Sequence, residues 1–215
     1  MPSKERPAGA RLTNRGAATR ARIVAAAAAL VRRQGVAGTS LDDVIADTNT
    51  SKSQLYHYFP NKEALICEVI KTQLGQVIAA QQPNLGEVSS WEGLQRWCDH
   101  VLAMARATHG VGGCPLGSLV GELAEQSDSA RQQLAQSFAE WQAYLAAGMT
   151  TMRGNGELSA DADPADLALS MMSAVQGGLL MAQTMRSARP LELALDMALG
   201  HIATYRSDPK RGRKA

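Results

Sequence analysis

Between residues 39 and 59 two short apolar patterns of helical period flank a three-residue break, and nothing else in the chain constrains its fold so tightly. Leu41, Val44 and Ile45 recur at the spacing that places side chains on one helical face, and Leu55 and Phe59, four apart, do so after the break. Thr39 and Ser40 offer N-cap hydroxyls to the first pattern, while Asp42 and Asp43 suit the positive end of its dipole. The break is Thr48-Asn49-Thr50, in which Asn49 is the residue best able to adopt a left-handed conformation. A third helix starts at Ser51 and ends at Pro60-Asn61. Two helices joined by such a turn have helix-turn-helix geometry, whose second helix enters the major groove of DNA. If Leu55 and Phe59 face the core, then Lys52, Ser53, Gln54, Tyr56 and His57 occupy the other faces, with groups suited to phosphates and base edges.

The flanking sequence is helical too. Ile23, Ala27, Leu30 and Val31 predict a first helix from Thr19 to the Gly35 C-cap, and Leu65, Ile66, Val69, Ile70, Leu74, Val77 and Ile78 predict a long one reaching about residue 82. After Pro83-Asn84-Leu85-Gly86, helices are predicted over 91–107, 116–126 and 130–152. Asp163-Pro164, an N-cap followed by proline, opens another to 185, and Pro190 precedes a last one to about 205. No strand-like alternation survives beyond a few residues. The expectation is an all-α protein of about nine helices: a basic arm over 1–17, a helix-turn-helix domain over 18–66, a ligand-binding and dimerisation domain over 67–206, and a basic tail over 207–215.

Charge follows the same division. Residues 1–82 carry 11 basic and 6 acidic side chains, residues 83–205 carry 6 and 13, and residues 206–215 carry 5 and 1. A basic N-terminal third beside an acidic body is what a chain shows when one part meets a polyanion. No apolar run approaches the roughly 18 to 20 residues of a membrane helix, and no secretory signal opens the chain, so it is read as cytoplasmic with no membrane partner. Cys67, Cys98 and Cys114 are widely spaced without a metal-ligand pattern and are read as plain thiols. His100, His109 and His201 share no ligand spacing, and no nucleophile–base pair or phosphate loop is visible, so neither cofactor nor metal is inferred and the chain is read as a non-enzyme.

Gly38-Thr39-Ser40-Leu41, Ser51-Lys52, Leu55-Tyr56-His57-Tyr58-Phe59 and Asn61-Lys62-Glu63-Ala64-Leu65 together resemble the signature of the tetracycline-repressor family over residues 19–66. The resemblance implies a three-helix DNA-binding domain joined by a fourth helix to a ligand-binding body whose last two helices form the dimer interface. It also implies phosphate contacts from Thr39 and Ser40, DNA contacts from Ser51, Lys52, Ser53, Gln54, Tyr56 and His57, and a backbone grip from Lys62. The chain departs from the pattern at Asn49, Thr50, Ser53 and Tyr58, where Gly, Val, Gly and His are usual, so base specificity does not carry over. Further on, Gly113-Cys114-Pro115-Leu116-Gly117-Ser118-Leu119 with Glu122-Leu123 resembles the lincomycin-resistance-type repressors.

In the C-terminal part, Trp97, Val101, Met104, Phe138, Trp141, Met171 and Met172 are the bulky or adaptable side chains that line a permissive pocket, with Gln176 as a polar anchor. Ordinary helix packing is the other reading of each. Ser173, Ala174, Gly177 and Gly178, with Met181, thin one helix at mid-length and are candidates for a homodimer contact; relief of crowding within the chain is the alternative. The expected partners are a palindromic double-stranded DNA operator, a small-molecule effector and a second copy of the chain, in a repressor that the effector releases. Two rivals use the same helices: a DNA-bound structural or division-control protein without a ligand, and an all-α enzyme or carrier with a vestigial DNA-binding domain.

Overall fold

The computed structural model describes residues 13–207, which form nine α-helices: α1 (Asn14–Gln34), α2 (Leu41–Thr48), α3 (Lys52–Tyr58), α4 (Lys62–Gln81), α5 (Trp91–Ala107), α6 (Pro115–Leu123), α7 (Asp128–Gly154), α8 (Pro164–Met185) and α9 (Arg189–Ala203). The all-α expectation holds. The one extended feature among the described residues is an isolated antiparallel bridge between Leu158 and Arg206. Most of the arm over 1–17 and of the tail over 207–215 lies outside these residues. Residues 14–17, however, belong to α1, which starts before the predicted Thr19 because Thr13 caps it, its hydroxyl accepting from the Gly16 N–H at 3.2 Å. Arg15, Gly16 and Ala17 carry no apolar period, so only the cap marks that start.

The chain divides into two compact units, Met1–Thr72 and Gln73–Ala215, with the junction inside α4. The first unit keeps the opening turns of α4 because Leu65 and Val69 complete its core, alongside Ile23, Ala27, Leu30, Val44, Leu55 and Phe59. Each short helix is pinned at its start. Ser40 and Ser51 cap α2 and α3 in reciprocal capping boxes with Asp43 and Gln54, and Asn61 Oδ1 accepts from the Ala64 N–H at the start of α4.

In the second unit α8 packs along α9 and against α7. Close approach requires glycine at Gly178 and Gly148, among other positions. A Cβ at Gly178 would stand 2.8 Å from Leu191 Cα, and one at Gly148 would collide with the Val88 carbonyl oxygen. By length and composition α8 is the one described helix apolar enough to cross a membrane. Part of its apolar length packs within the unit: Leu167, Met171, Met172 and Val175 are buried.

Candidate nucleic-acid interface and cavities

The turn between α2 and α3 is built from its own side chains. Asn49 takes the left-handed conformation, with φ 50° and ψ 36°, which explains why it can stand where glycine is usual. Thr50 is buried, and its hydroxyl shares a 2.7 Å hydrogen bond with that of Thr48, which in turn donates to the Val44 carbonyl. A hydroxyl where valine is usual is therefore satisfied inside the turn.

With Leu55 and Phe59 almost wholly buried, the remainder of α3 is presented outward. Lys52, Ser53, Gln54, Tyr56 and His57 are all exposed, and Tyr58 is half-buried with its ring edge-on to His57, centroids 5.0 Å apart. The Lys52 ammonium has only a loose, exposed pairing with Asp42 at 4.0 Å and is available to an anion. Gln54 is already engaged: its Oε1 accepts from the Ser51 N–H at 3.1 Å, and its own N–H donates to the Ser51 hydroxyl. Bidentate reading of adenine needs both Oε1 and Nε2, so Gln54 must share or surrender this cap to read a base.

Three expected contacts stand differently. The Thr39 side chain is buried and its hydroxyl donates to the Gly35 carbonyl at 2.8 Å, so it is turned inward. Ser40 is exposed, but its hydroxyl donates to Asp43 Oδ2 at 2.7 Å, and the Ser40 N–H and hydroxyl together hold the Asp43 carboxyl below the usual carboxylate range. Lys62 donates to the Val36 carbonyl at 2.6 Å, which ties α4 to the residues after α1 and leaves two of its three protons for other acceptors. Arg20 had no role in the sequence reading. It lies 5.1 Å from the Phe59 ring centroid and is paired with Glu68 at 2.6 Å. Burial raises the Glu68 pKa, but hydrogen bonds from Arg20 and Lys71 outweigh it and leave the carboxyl below its ordinary value.

Among the described residues of the second unit, the expected pocket residues are spread over two cavities. The smaller, of about 310 Å³, lies among the last turns of α4 (Gln76, Val77, Gln81), α5 (Val101, Met104) and Trp141 of α7. The larger, of about 440 Å³, lies among α6, α7 and α8 and includes Phe138, Met172 and Gln176. The eight expected pocket residues thus divide. Trp97 and Met171 are wholly buried and line neither cavity; the Trp97 indole is packed inside, its Nε1 donating to Gln81 Oε1 at 2.9 Å. Trp141 Nε1 donates to the same oxygen at 3.2 Å, so one buried carboxamide at the end of α4 holds two indoles. Gln81 and Cys114, both cavity-lining, were missed by sequence reasoning; the motif around Cys114 was the one available signal. The Cys98 and Cys114 thiols are not activated: burial, with Asp99 and Asp196 adding to it, pushes Cys98 up to about 12, and burial raises Cys114 as well.

Of the residues expected between chains, Ser173, Gly177 and Met181 lie on an exposed line of α8 that also carries Leu169 and Met185, and α9 exposes Leu193 and Met197. Ala174 is half-buried. Gly178 is buried, its missing side chain admitting α9 of its own chain.

Comparison with known proteins agrees with this anatomy. The family described as "Bacterial regulatory proteins, tetR family" matches residues 23–69, and "Tetracyclin repressor-like, C-terminal domain" matches residues 91–198, half of the chain. An HTH-type transcriptional regulator in the lacX 3′ region of Lactococcus lactis is 28% identical over 190 residues, covering 83% of this chain and 90% of the relative. The HTH-type transcriptional regulator LmrA of Bacillus subtilis is 27% identical over 177 residues, covering 80% and 90%. The crystal structure of a TetR transcriptional regulator from Chloroflexus aurantiacus superposes with a TM-score of 0.71 at 26% identity, over 90% of this chain and 98% of that one. With capped helices flanking a left-handed turn, an outward polar α3 and a helical body matched over half its length, the chain belongs to the TetR family of transcriptional regulators.

Proposed function

We propose that the protein is a homodimeric repressor that holds a palindromic operator through Lys52, Ser53, Gln54, Tyr56 and His57 and releases it when a small molecule enters the smaller cavity. The observation that carries this reading is the continuity of α4. Its first turns supply Leu65 and Val69 to the core that holds α3, and its last turns supply Gln76, Val77 and Gln81 to the wall of that cavity. A ligand that displaces the wall shifts the helix on which the DNA reader is mounted, and two recognition helices must keep a spacing of about one DNA turn or a multiple of it. The exposed apolar line on α8 and α9 supports the dimer, since a single three-helix module covers too little DNA to be selective alone. The resemblance of residues 113–123 to lincomycin-resistance-type repressors supports a drug-like effector.

The test is operator binding by the full chain, on DNA selected from a random pool and measured by fluorescence anisotropy against salt. A dimer with roughly 6 to 10 phosphate contacts loses about 10³- to 10⁵-fold in affinity between ~50 and 200 mM salt. Lys62→Ala should weaken all sequences alike, and Gln54→Ala should relax preference at one base pair per half-site. Salt-independent affinity, or equal effects of the two changes, refutes the reading.

A further inference from the structure

We infer that Gln54 reads guanine in the operator half-site, using Nε2 alone while its Oε1 stays on the cap of its own helix. The inference rests on the DNA-binding reading above and narrows it to one base. Gln54 Oε1 accepts from the Ser51 backbone N–H at 3.1 Å, and the Gln54 backbone N–H donates to the Ser51 hydroxyl at 3.2 Å, the two halves of one capping box. That pairing fixes which way round the carboxamide stands. Turning it over would set Nε2 against the Ser51 N–H, donor against donor, so oxygen meets the backbone and Nε2 is the free end. Gln54 is exposed, and among the described residues its Nε2 has no hydrogen-bond partner.

The capped side chain therefore offers a base donors only. In the major groove guanine alone presents two adjacent acceptors, O6 and N7. Adenine carries its N6 amino group beside N7, so donor meets donor unless Oε1 leaves Ser51 to accept from N6. Thymine has one acceptor, O4, beside a methyl group, and cytosine offers a donor. Adenine thus carries a penalty that guanine does not: the Ser51 N–H loses its partner, and it is one of the donors at the start of α3 that no carbonyl of the helix can satisfy. The capped carboxamide has also lost rotamer freedom before DNA arrives, which favours the contact that leaves it in place.

The test uses the full chain and the selected operator, with each base pair of the half-sites substituted in turn and every duplex titrated by fluorescence anisotropy against the parent and Gln54→Ala. The base that Gln54 reads is the one at which the two changes are not additive. It is expected to be guanine, and adenine in its place should weaken the parent roughly 5- to 10-fold per half-site, the factor of one ordinary hydrogen bond, and Gln54→Ala hardly at all. Gln54→Glu should move the preference at that position to cytosine, because one carboxylate oxygen keeps the cap and the other can only accept, as from cytosine N4. Two changes at Ser51 isolate the cap. Ser51→Ala keeps the N–H, and Ser51→Pro removes it at a φ of −74° that the ring tolerates. Both lose the hydroxyl and bind every sequence less tightly, so the readout is the guanine-to-adenine ratio: unchanged in Ser51→Ala, and moved to parity or toward adenine in Ser51→Pro. Circular dichroism checks the fold of each variant, and the Gln54→Glu comparison stands without the proline variant. Adenine at the coupled position, a Gln54→Glu protein that keeps guanine, or a ratio that a folded Ser51→Pro leaves unchanged would each overturn the inference and leave the DNA-binding reading intact. A parent chain that binds all duplexes alike would overturn both.

Discussion

Replacing Gln81 with Leu removes one buried oxygen on which two buried indoles depend. Trp97 Nε1 reaches it at 2.9 Å and Trp141 Nε1 at 3.2 Å, and none of the three residues is more than 4% exposed, so neither N–H can turn to water instead. Each orphaned donor costs about 1 to 3 kcal/mol. Leu is close to Gln in volume and opens little void, and its apolar atoms return roughly 1 kcal/mol on burial. The longer bond to Trp141 is the weaker of the two. A net loss of about 2 to 4 kcal/mol is therefore expected. Trp91, Trp97 and Trp141 all lie beyond Thr72, so urea unfolding followed by tryptophan emission reads the unit that contains the change. Adding Trp97→Phe to Gln81→Leu removes one of the two orphans, and the double-mutant cycle should show a coupling of about 1 to 2 kcal/mol. A Gln81→Leu protein within about 0.5 kcal/mol of the parent, or strict additivity in the cycle, would refute the shared-acceptor reasoning.

Asn49→Ala should lower the stability of the first unit by about 1 kcal/mol, the strain of a left-handed alanine, while Asn49→Gly should be neutral or better; thermal melting by circular dichroism separates them. Gly148→Ala should lose at least about 2 kcal/mol, because its methyl meets the Val88 carbonyl, whereas Gly154→Ala meets open space and should fold and melt like the parent. The Asp43 carboxyl is held low by the Ser40 N–H, then the Ser40 hydroxyl, with Lys62 contributing less. Its contribution is present above the unfolded carboxylate pKa and is lost as pH falls through the depressed folded value, so the Tm gap between parent and Asp43→Ala should be full at neutral pH and close on acidification. A gap that persists unchanged to about pH 2 would attribute it to something other than the charged cap.

Most of the DNA-reading unit is legible from residues a few positions apart. The cap at Ser40, the start of the third helix at Ser51, the left-handed Asn49 and the inward Leu55 and Phe59 are each decided within about one helical turn, and the structure has them where local spacing places them. The same short range explains the near coincidence of predicted and observed helices from residue 91 onward, with Asp163-Pro164 opening α8 and 91–107 recovered as α5. Where the local rule is incomplete, the reading slips: α1 starts early on a cap without apolar period, and Thr39, sequence-adjacent to a cap, is drawn inward by Gly35. The cavities are of another kind. Gln81 and Trp141 are 60 residues apart and become partners only when α4 and α7 are packed in one unit. Gly177 and Gly178 are neighbours in sequence, yet one faces open space and the other α9, because successive residues on a helix point about 100° apart and only the docked partner decides which direction is inside. Composition and periodicity determine that these helices have apolar faces. Which faces meet, and what space is left between them, depends on contacts across tens of residues that no local pattern encodes.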